Sequence, residues 1–135
     1  MSTKVALKFH LCEADNKVVP ALAQKNVLVV DDEPIIRQTL KMILRFDGHH
    51  AEAAANVDEA MAAMESRKFD IVFLDYLMPG ATGDKVARVM KTKAPEQPII
   101  FVTGYLPRPH SPDVERIIQK PFSVEDIRDA MTEFA

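Results

Sequence analysis

Three carboxylates and one lysine stand where the apolar runs of this chain stop. Asp75 closes the run Ile71-Val72-Phe73-Leu74 and is followed by Tyr76-Leu77-Met78-Pro79-Gly80. Val27-Leu28-Val29-Val30 stops at the acid pair Asp31-Asp32, and Arg116-Ile117-Ile118-Gln119 stops at Lys120-Pro121. Runs too apolar for surface loops hold whatever follows them at the rim of a buried sheet. Carboxylates crowded there repel, each raising its neighbours' pKa, and a divalent cation resolves the conflict. An all-oxygen ligand set without histidine or cysteine points to Mg²⁺, with Mn²⁺ as a substitute. Mg²⁺ keeps several waters, so two acids and one backbone carbonyl suffice as protein ligands. One carboxylate could then attack a phosphoryl group as a nucleophile. The metal and the lysine ammonium would neutralise phosphoryl oxygens, and the hydroxyl of Thr103 is placed to bond a third. The chemistry in outline is phosphoryl transfer.

The elements that position these residues alternate in type. Expected strands cover 27–30, 50–54, 71–74, 99–102 and about 117–119. After the first, Pro34 suits a first helical turn, Ile36, Leu40, Ile43 and Leu44 share a face, and Gly48 fits the stop. Asn56 with Glu59 three residues on resembles a capping box, opening a helix with Val57, Ala60, Met61 and Met64 inward. Gly83 precedes a helix burying Val86, Ala87 and Met90, which Pro95 and Pro98 bar from continuing. Ser123 caps a last helix burying Ile127, Ala130, Met131 and Phe134. Continuous apolar strands alternating with helices predict an α/β fold, a doubly wound parallel sheet with helices on both faces. Ligands of such sheets sit at the carboxyl ends of the strands, where Asp31, Asp32, Asp75, Thr103 and Lys120 all fall.

Residues 1–25 read as an N-terminal extension and 26–135 as the domain. In the extension Val5, Leu7, Phe9 and Leu11 alternate with Lys4, Ala6, Lys8 and His10 as a possible extra strand, whereas 13–24, with Pro20, reads as a linker or a short irregular segment. At 135 residues and formal net charge −3, the chain is of single-domain length without the Lys/Arg clustering of a nucleic-acid surface. Cys12 is the single cysteine, which excludes an internal disulfide and a cysteine-based metal site. The longest apolar runs are strand-sized, so neither a membrane span nor a signal peptide is expected. The expected compartment is the cytoplasm.

The strings VLVVDDEP, DIVFLDYLMPGATG, PIIFVTG and QKPF, in this order and each at a strand end, resemble the receiver domain of two-component response regulators over 26–135. Singly, each residue has a plain reading: Asp31-Asp32 as a helix cap, Asp75 as turn chemistry, Thr103 as a strand end, Lys120 as a solvated lysine. Their coincidence carries the resemblance. It implies a flavodoxin-like sheet of order 2-1-3-4-5, counted from the strand at 27–30. It implies Asp75 as phosphoacceptor, Asp31, Asp32, Asp75 and the Leu77 carbonyl around Mg²⁺, Thr103 as switch hydroxyl and Lys120 as phosphate-binding lysine, followed by a cis Pro121. Implied partners are a histidine kinase or histidine phosphotransfer protein and a protein output target, the chain ending too soon after its last helix for an output domain. The first helix, on its Ile36/Leu40 face, is the implied phosphodonor dock. The implied role is a single-domain regulator that docks on a target, or a phosphate shuttle and sink between kinases, with self-phosphorylation and self-dephosphorylation rather than turnover of a free substrate.

Two departures from the family pattern stand out. Ile117 occupies the position three before the lysine, where an aromatic is usual, and Tyr105 is the nearby candidate substitute. The connection from Thr103 to Lys120 is short and carries Pro107, Pro109 and Pro112. Proline in a helix interior costs about 3 kcal/mol, so the family's fourth helix is expected to be shortened or absent, with at most a turn near 113–116 in a flexible loop. Both features are similar to a subgroup of single-domain regulators with a Phe-Ala-Thr-Gly-Tyr motif, with Val102 in place of its alanine. Leu77 and Tyr105 stand at the two positions that tune hydrolysis, and neither can orient a water. The rival readings are a pseudo-receiver that never takes up phosphate, and a phosphohydrolase with an aspartyl nucleophile. The second would need another acid at Leu77.

Overall fold

Alternation of apolar side chains between the two faces of each strand lets one sheet carry two separate cores. The computed structural model describes residues 9–12, 17–20, 23–105 and 111–135. Strands β1 (Phe9–Cys12) and β2 (Lys17–Pro20) are followed by β3 (Asn26–Val30), α1 (Pro34–Phe46), β4 (His50–Ala54), α2 (Val57–Ser66) and β5 (Ile71–Leu74). The short strands β6 (Leu77–Met78) and β7 (Ala81–Thr82) come next, then α3 (Gly83–Lys93), β8 (Ile99–Thr103), β9 (Arg116–Gln119) and α4 (Val124–Phe134). The five-stranded sheet has the order β4-β3-β5-β8-β9, every pair parallel. This is the expected order 2-1-3-4-5.

Val27, Val29, Ile71, Phe73, Ile100 and Val102 pack on one face with Leu40 and Leu44 of α1 and Ile127, Ala130 and Met131 of α4. Leu28, Val30, Val72, Leu74, Ile99 and Phe101 pack on the other with Ala60 of α2 and Val86, Ala87 and Met90 of α3. Burying each such aliphatic side chain stabilises by roughly 1.5–3 kcal/mol, so both faces must stay covered. The expected inward helix residues are therefore found, and it is the Ile36/Leu40 face as a phosphodonor dock that needs correction. Leu40 is fully buried and Ile36 packs against the core. The exposed apolar residues of α1 are instead Ile35, Met42 and Phe46.

Local signals act much as their chemistry dictates. Pro34 opens α1, and Gly48 follows its last turn at φ +92°, donating its N–H to the Arg45 carbonyl. The Asn56 side chain accepts from Glu59 N at 2.9 Å, but Glu59 reaches back to Ala55 N, one residue earlier than a capping box would. Ser123 and Asp126 form the full reciprocal box at α4.

The ends of the chain's irregular stretches differ from expectation. Lys17–Pro20, within the segment expected as linker, pairs antiparallel with Phe9–Cys12 in a two-stranded sheet of its own. Pro20 is compatible with this pairing because both strands of a two-stranded sheet are edges, where proline is found. Val5 and Leu7 lie outside the described residues. Between β8 and β9 no helix occurs among the described residues, and a turn stands at Pro112-Asp113. Arg116, expected at the end of that turn, already belongs to β9. The flexible loop expected there falls partly on 106–110, outside the described residues. Its described end is tied down: Glu115 N donates to the Ile99 carbonyl at 2.9 Å and its carboxylate accepts from Ile99 N at 2.7 Å.

One glycine sets the shape of the loop after Asp75. Gly80 turns the β6–β7 hairpin at φ +86°, and the hairpin delivers Gly83 back against the strand end. Gly83 N donates to the Tyr76 carbonyl. A Cβ on Gly83 would meet Tyr76 Cα at 2.8 Å, the Phe101 ring at 2.9 Å and the Asp75 carbonyl oxygen at 3.2 Å. Gly83→Ala should therefore destabilise the fold by about 1–3 kcal/mol, the cost of overpacking. Urea unfolding checks this, and an unchanged midpoint would contradict it.

Candidate phosphoryl-transfer site

Each strand that ends at the rim carries its ladder one residue further. Asp31 N donates to the Ala54 carbonyl at 3.1 Å, Asp75 N to the Val30 carbonyl at 2.9 Å and Lys120 N to the Thr103 carbonyl at 2.9 Å. The backbones of the two acids and the lysine are thus fixed by the sheet itself, which satisfies their polar groups and removes their freedom. The Lys120–Pro121 bond is cis, as the resemblance implies.

Asp31 and Asp75 are buried, and Asp32 is exposed. Asp31, Asp32 and Asp75 can each present a carboxylate oxygen within 4.8 Å of the others. Lys120 Nζ lies 2.9 Å from Asp31 Oδ2, 3.2 Å from Glu33 Oε1 and 3.7 Å from Asp75 Oδ2. Asp31 is held from every side: Oδ1 accepts from Glu33 N at 2.9 Å, and its carbonyl accepts from the Arg37 guanidinium at 2.8 Å. Thr103 is buried at the end of β8, and its Oγ1 accepts from Tyr105 N at 3.1 Å. The Tyr105 ring stacks on Tyr76 with centroids 4.9 Å apart, and Tyr76 meets Phe101 edge-on at 5.5 Å. Leu77, the first residue of β6, shares a backbone hydrogen bond with the Asp75 carboxylate. Ile117 packs with Val114 against the core under α2 and α3.

The electrostatics follow from burial. Loss of solvent pushes the Asp75 carboxyl up to about 6, and the charge of Asp31 adds to it, while Lys120 and the Leu77 amide pull against it. Burial alone would lower the Lys120 ammonium. Its hydrogen bond to Asp31 and the charges of Asp75, Asp31 and Glu33 outweigh that, and it lies above its usual range. A crowded, all-oxygen acid cluster with one member raised by desolvation suits a hard divalent cation.

The sequence-predicted residues Asp31, Asp32, Asp75 and Lys120 are therefore brought together, with Thr103 and Leu77 on the adjoining strand ends. Sequence reasoning missed Glu33 and Arg37 as parts of the site. Glu33 adjoins the acid pair in the DDEP string, and Arg37 follows it by one helical turn, a spacing at which side chains on α1 meet. Tyr76 and Gly83 were also given no role there.

The raised Asp75 carboxyl has a signed consequence. Between 3.8 and about 6 the folded chain holds a proton on Asp75 that the unfolded chain has lost. Stability therefore falls as pH rises through that window, and the full penalty persists above it. Metal-free Asp75→Asn should unfold at a higher temperature than the native chain at neutral pH, the gap shrinking towards pH about 4. Thermal unfolding across that range checks this, and coincident midpoints throughout would contradict it.

Comparison with known proteins agrees with this geometry. Over 111 residues the chain is 30% identical to the probable transcriptional regulatory protein TcrX of Mycobacterium tuberculosis, covering 75% of this chain and 45% of that protein. Over 84 residues it is 42% identical to the positive alginate biosynthesis regulatory protein of Pseudomonas aeruginosa, covering 59% of this chain and 34% of that one. The chain thus spans less than half the length of these curated relatives. Among solved structures, the response regulator TrrA of Thermotoga maritima in complex with Mg²⁺-BeF superposes with TM-score 0.76 at 31% identity, over 83% of this chain and all of that one. The chemotaxis protein CheY4 of Vibrio cholerae gives TM-score 0.74 at 27% identity, over 84% of this chain and 100% of that one. No helix among the described residues is long and apolar enough to cross a membrane. With residues 27–132 matching the response regulator receiver domain and the acid cluster seated on that fold, the chain belongs to the response regulator receiver family.

Proposed function

We propose that this receiver accepts a phosphoryl group on Asp75 from a phosphohistidine of a histidine kinase or histidine phosphotransfer protein, and signals by protein contacts that depend on it. The observation that carries this reading is the convergence of Asp75, Asp31, Asp32 and Lys120 from three strand ends. An Asp75 carboxylate oxygen forms the new O–P bond as the P–N bond of the donor breaks. The electron pair returns to the imidazole nitrogen, which takes a proton. Asp31, Asp32 and Asp75, with the Leu77 carbonyl, would hold Mg²⁺ (or Mn²⁺), which when bound offsets the charge of the carboxylates and the phosphoryl oxygens. The Lys120 ammonium neutralises a second phosphoryl oxygen, and the Thr103 hydroxyl donates to a third. The transfer is a modification of the chain itself rather than turnover of a free substrate. The Mg²⁺-BeF complex of TrrA supports a cation beside the acids.

Tyr105 offers the route from the site to the surface. A Thr103 hydroxyl that donates to a phosphoryl oxygen while accepting from the Tyr105 amide draws the Tyr105 segment with it, and the Tyr105 ring rests on Tyr76, next to Asp75. That arrangement takes over the part of an aromatic at Ile117. Phosphodonor docking falls to the rim end of α1, where Ile35 is 74% exposed.

Incubation with Mg²⁺ and acetyl phosphate should add one phosphoryl mass to the native chain and none to Asp75→Asn or to chelator-treated protein. No mass gain would favour a pseudo-receiver, and steady phosphate release from simple esters would favour a hydrolase. Because Leu77 and Tyr105 present no acid or amide to an attacking water, the phosphoryl group should outlast minutes in purified protein. Loss within seconds, followed by intact mass, would contradict that assignment.

A further inference from the structure

Lys120 stands closer to two other acids than to the carboxylate it is expected to serve. An ammonium has three donors, and here Asp31 at 2.9 Å and Glu33 at 3.2 Å take two of them, whereas Asp75 at 3.7 Å lies beyond hydrogen-bond reach. Asp31 is fully engaged by its own loop and by its place in the acid cluster. Its hold on Lys120 therefore weakens once a cation shares its charge. Glu33 remains: its side chain is 62% exposed, it stands outside the set of acids whose oxygens converge, and its backbone is fixed by its bonds to Asp31 Oδ1 and to Arg37 N.

We infer that Glu33 is a positioning residue that parks Lys120 away from Asp75 and competes with the incoming phosphoryl group for its ammonium. The inference rests on the proposed role of Asp75 and Lys120 and adds a residue that sets how readily that role is taken up. The Glu33–Lys120 pair breaks as the ammonium crosses to the phosphoryl oxygen. Removing the Glu33 charge therefore lowers the cost of the phosphorylated state without touching the acids around the cation. An exposed pair of this kind is worth a modest factor, roughly two- to five-fold in an equilibrium constant.

The test is the affinity for beryllofluoride in the presence of Mg²⁺, read by NMR or calorimetry on the full chain. Four chains are compared: the native one, Glu33→Gln, Lys120→Gln and the double variant. Glu33→Gln should bind beryllofluoride roughly two- to five-fold more tightly than the native chain. Glu33→Asp, one methylene shorter, loses the contact but keeps the charge, and should fall between the native chain and Glu33→Gln. Affinity for Mg²⁺ alone is measured in parallel so that the beryllofluoride gain is taken at saturating Mg²⁺, and in the Lys120→Gln background Glu33→Gln should bring no such gain. Equal or weaker binding by Glu33→Gln, or the same gain without Lys120, would overturn the role of Glu33 while leaving the phosphoacceptor reading intact. A native chain that takes up no beryllofluoride would overturn both.

Discussion

Charge conflict at one rim of the sheet is the constraint on which the site depends. Two buried carboxylates and a third at the surface stand close enough to share a cation, with a lysine ammonium between the strand ends. The sheet imposes this crowding, since the backbone bonds of Asp31, Asp75 and Lys120 extend the ladder past each strand end. The two apolar cores in turn hold the strands in register. Packing energy thus keeps like charges together, and the Asp75 carboxyl is raised first by its burial and then by the charge of Asp31. A ligand that brings positive charge, or a reaction that changes the charge on Asp75, acts directly on that balance. Such responsiveness suits a switch better than a purely structural ion cluster.

Much of this was legible in the sequence because the signals are local and strong. Continuous apolar runs such as Ile71–Leu74 and Ile99–Thr103 admit little but buried parallel strands, and the chemistry-bearing residues sit at their ends. Pro34, Gly48 and Ser123 mark boundaries because each acts within a turn of its own position. The prolines between Thr103 and Lys120 likewise agree with the lack of a helix among the described residues of that connection.

What escaped depends on distance in the chain. Glu33 matters through Lys120, a partner reached only when β3 and β9 lie in one sheet. Gly83 looked like an ordinary helix start, and only the return of the β6–β7 hairpin shows that a side chain there would strike Tyr76 and Phe101. On α1 the period and phase of the inward face were legible, whereas how completely Leu40 is covered was not. Leu40 turns fully inward, leaving Ile35, Met42 and Phe46 outside. Lys17–Pro20 forms a strand by pairing with Phe9–Cys12, a partner that local composition does not announce.

On the proposed reading Asp75, alone among the crowded acids, becomes the phosphoacceptor. Borohydride reduction of the phosphorylated chain converts an aspartyl phosphate to homoserine, which peptide mass mapping can locate. Homoserine is expected at position 75 alone, whereas homoserine at 31 or 32, or a phosphoryl group that resists reduction on another residue type, would contradict that role.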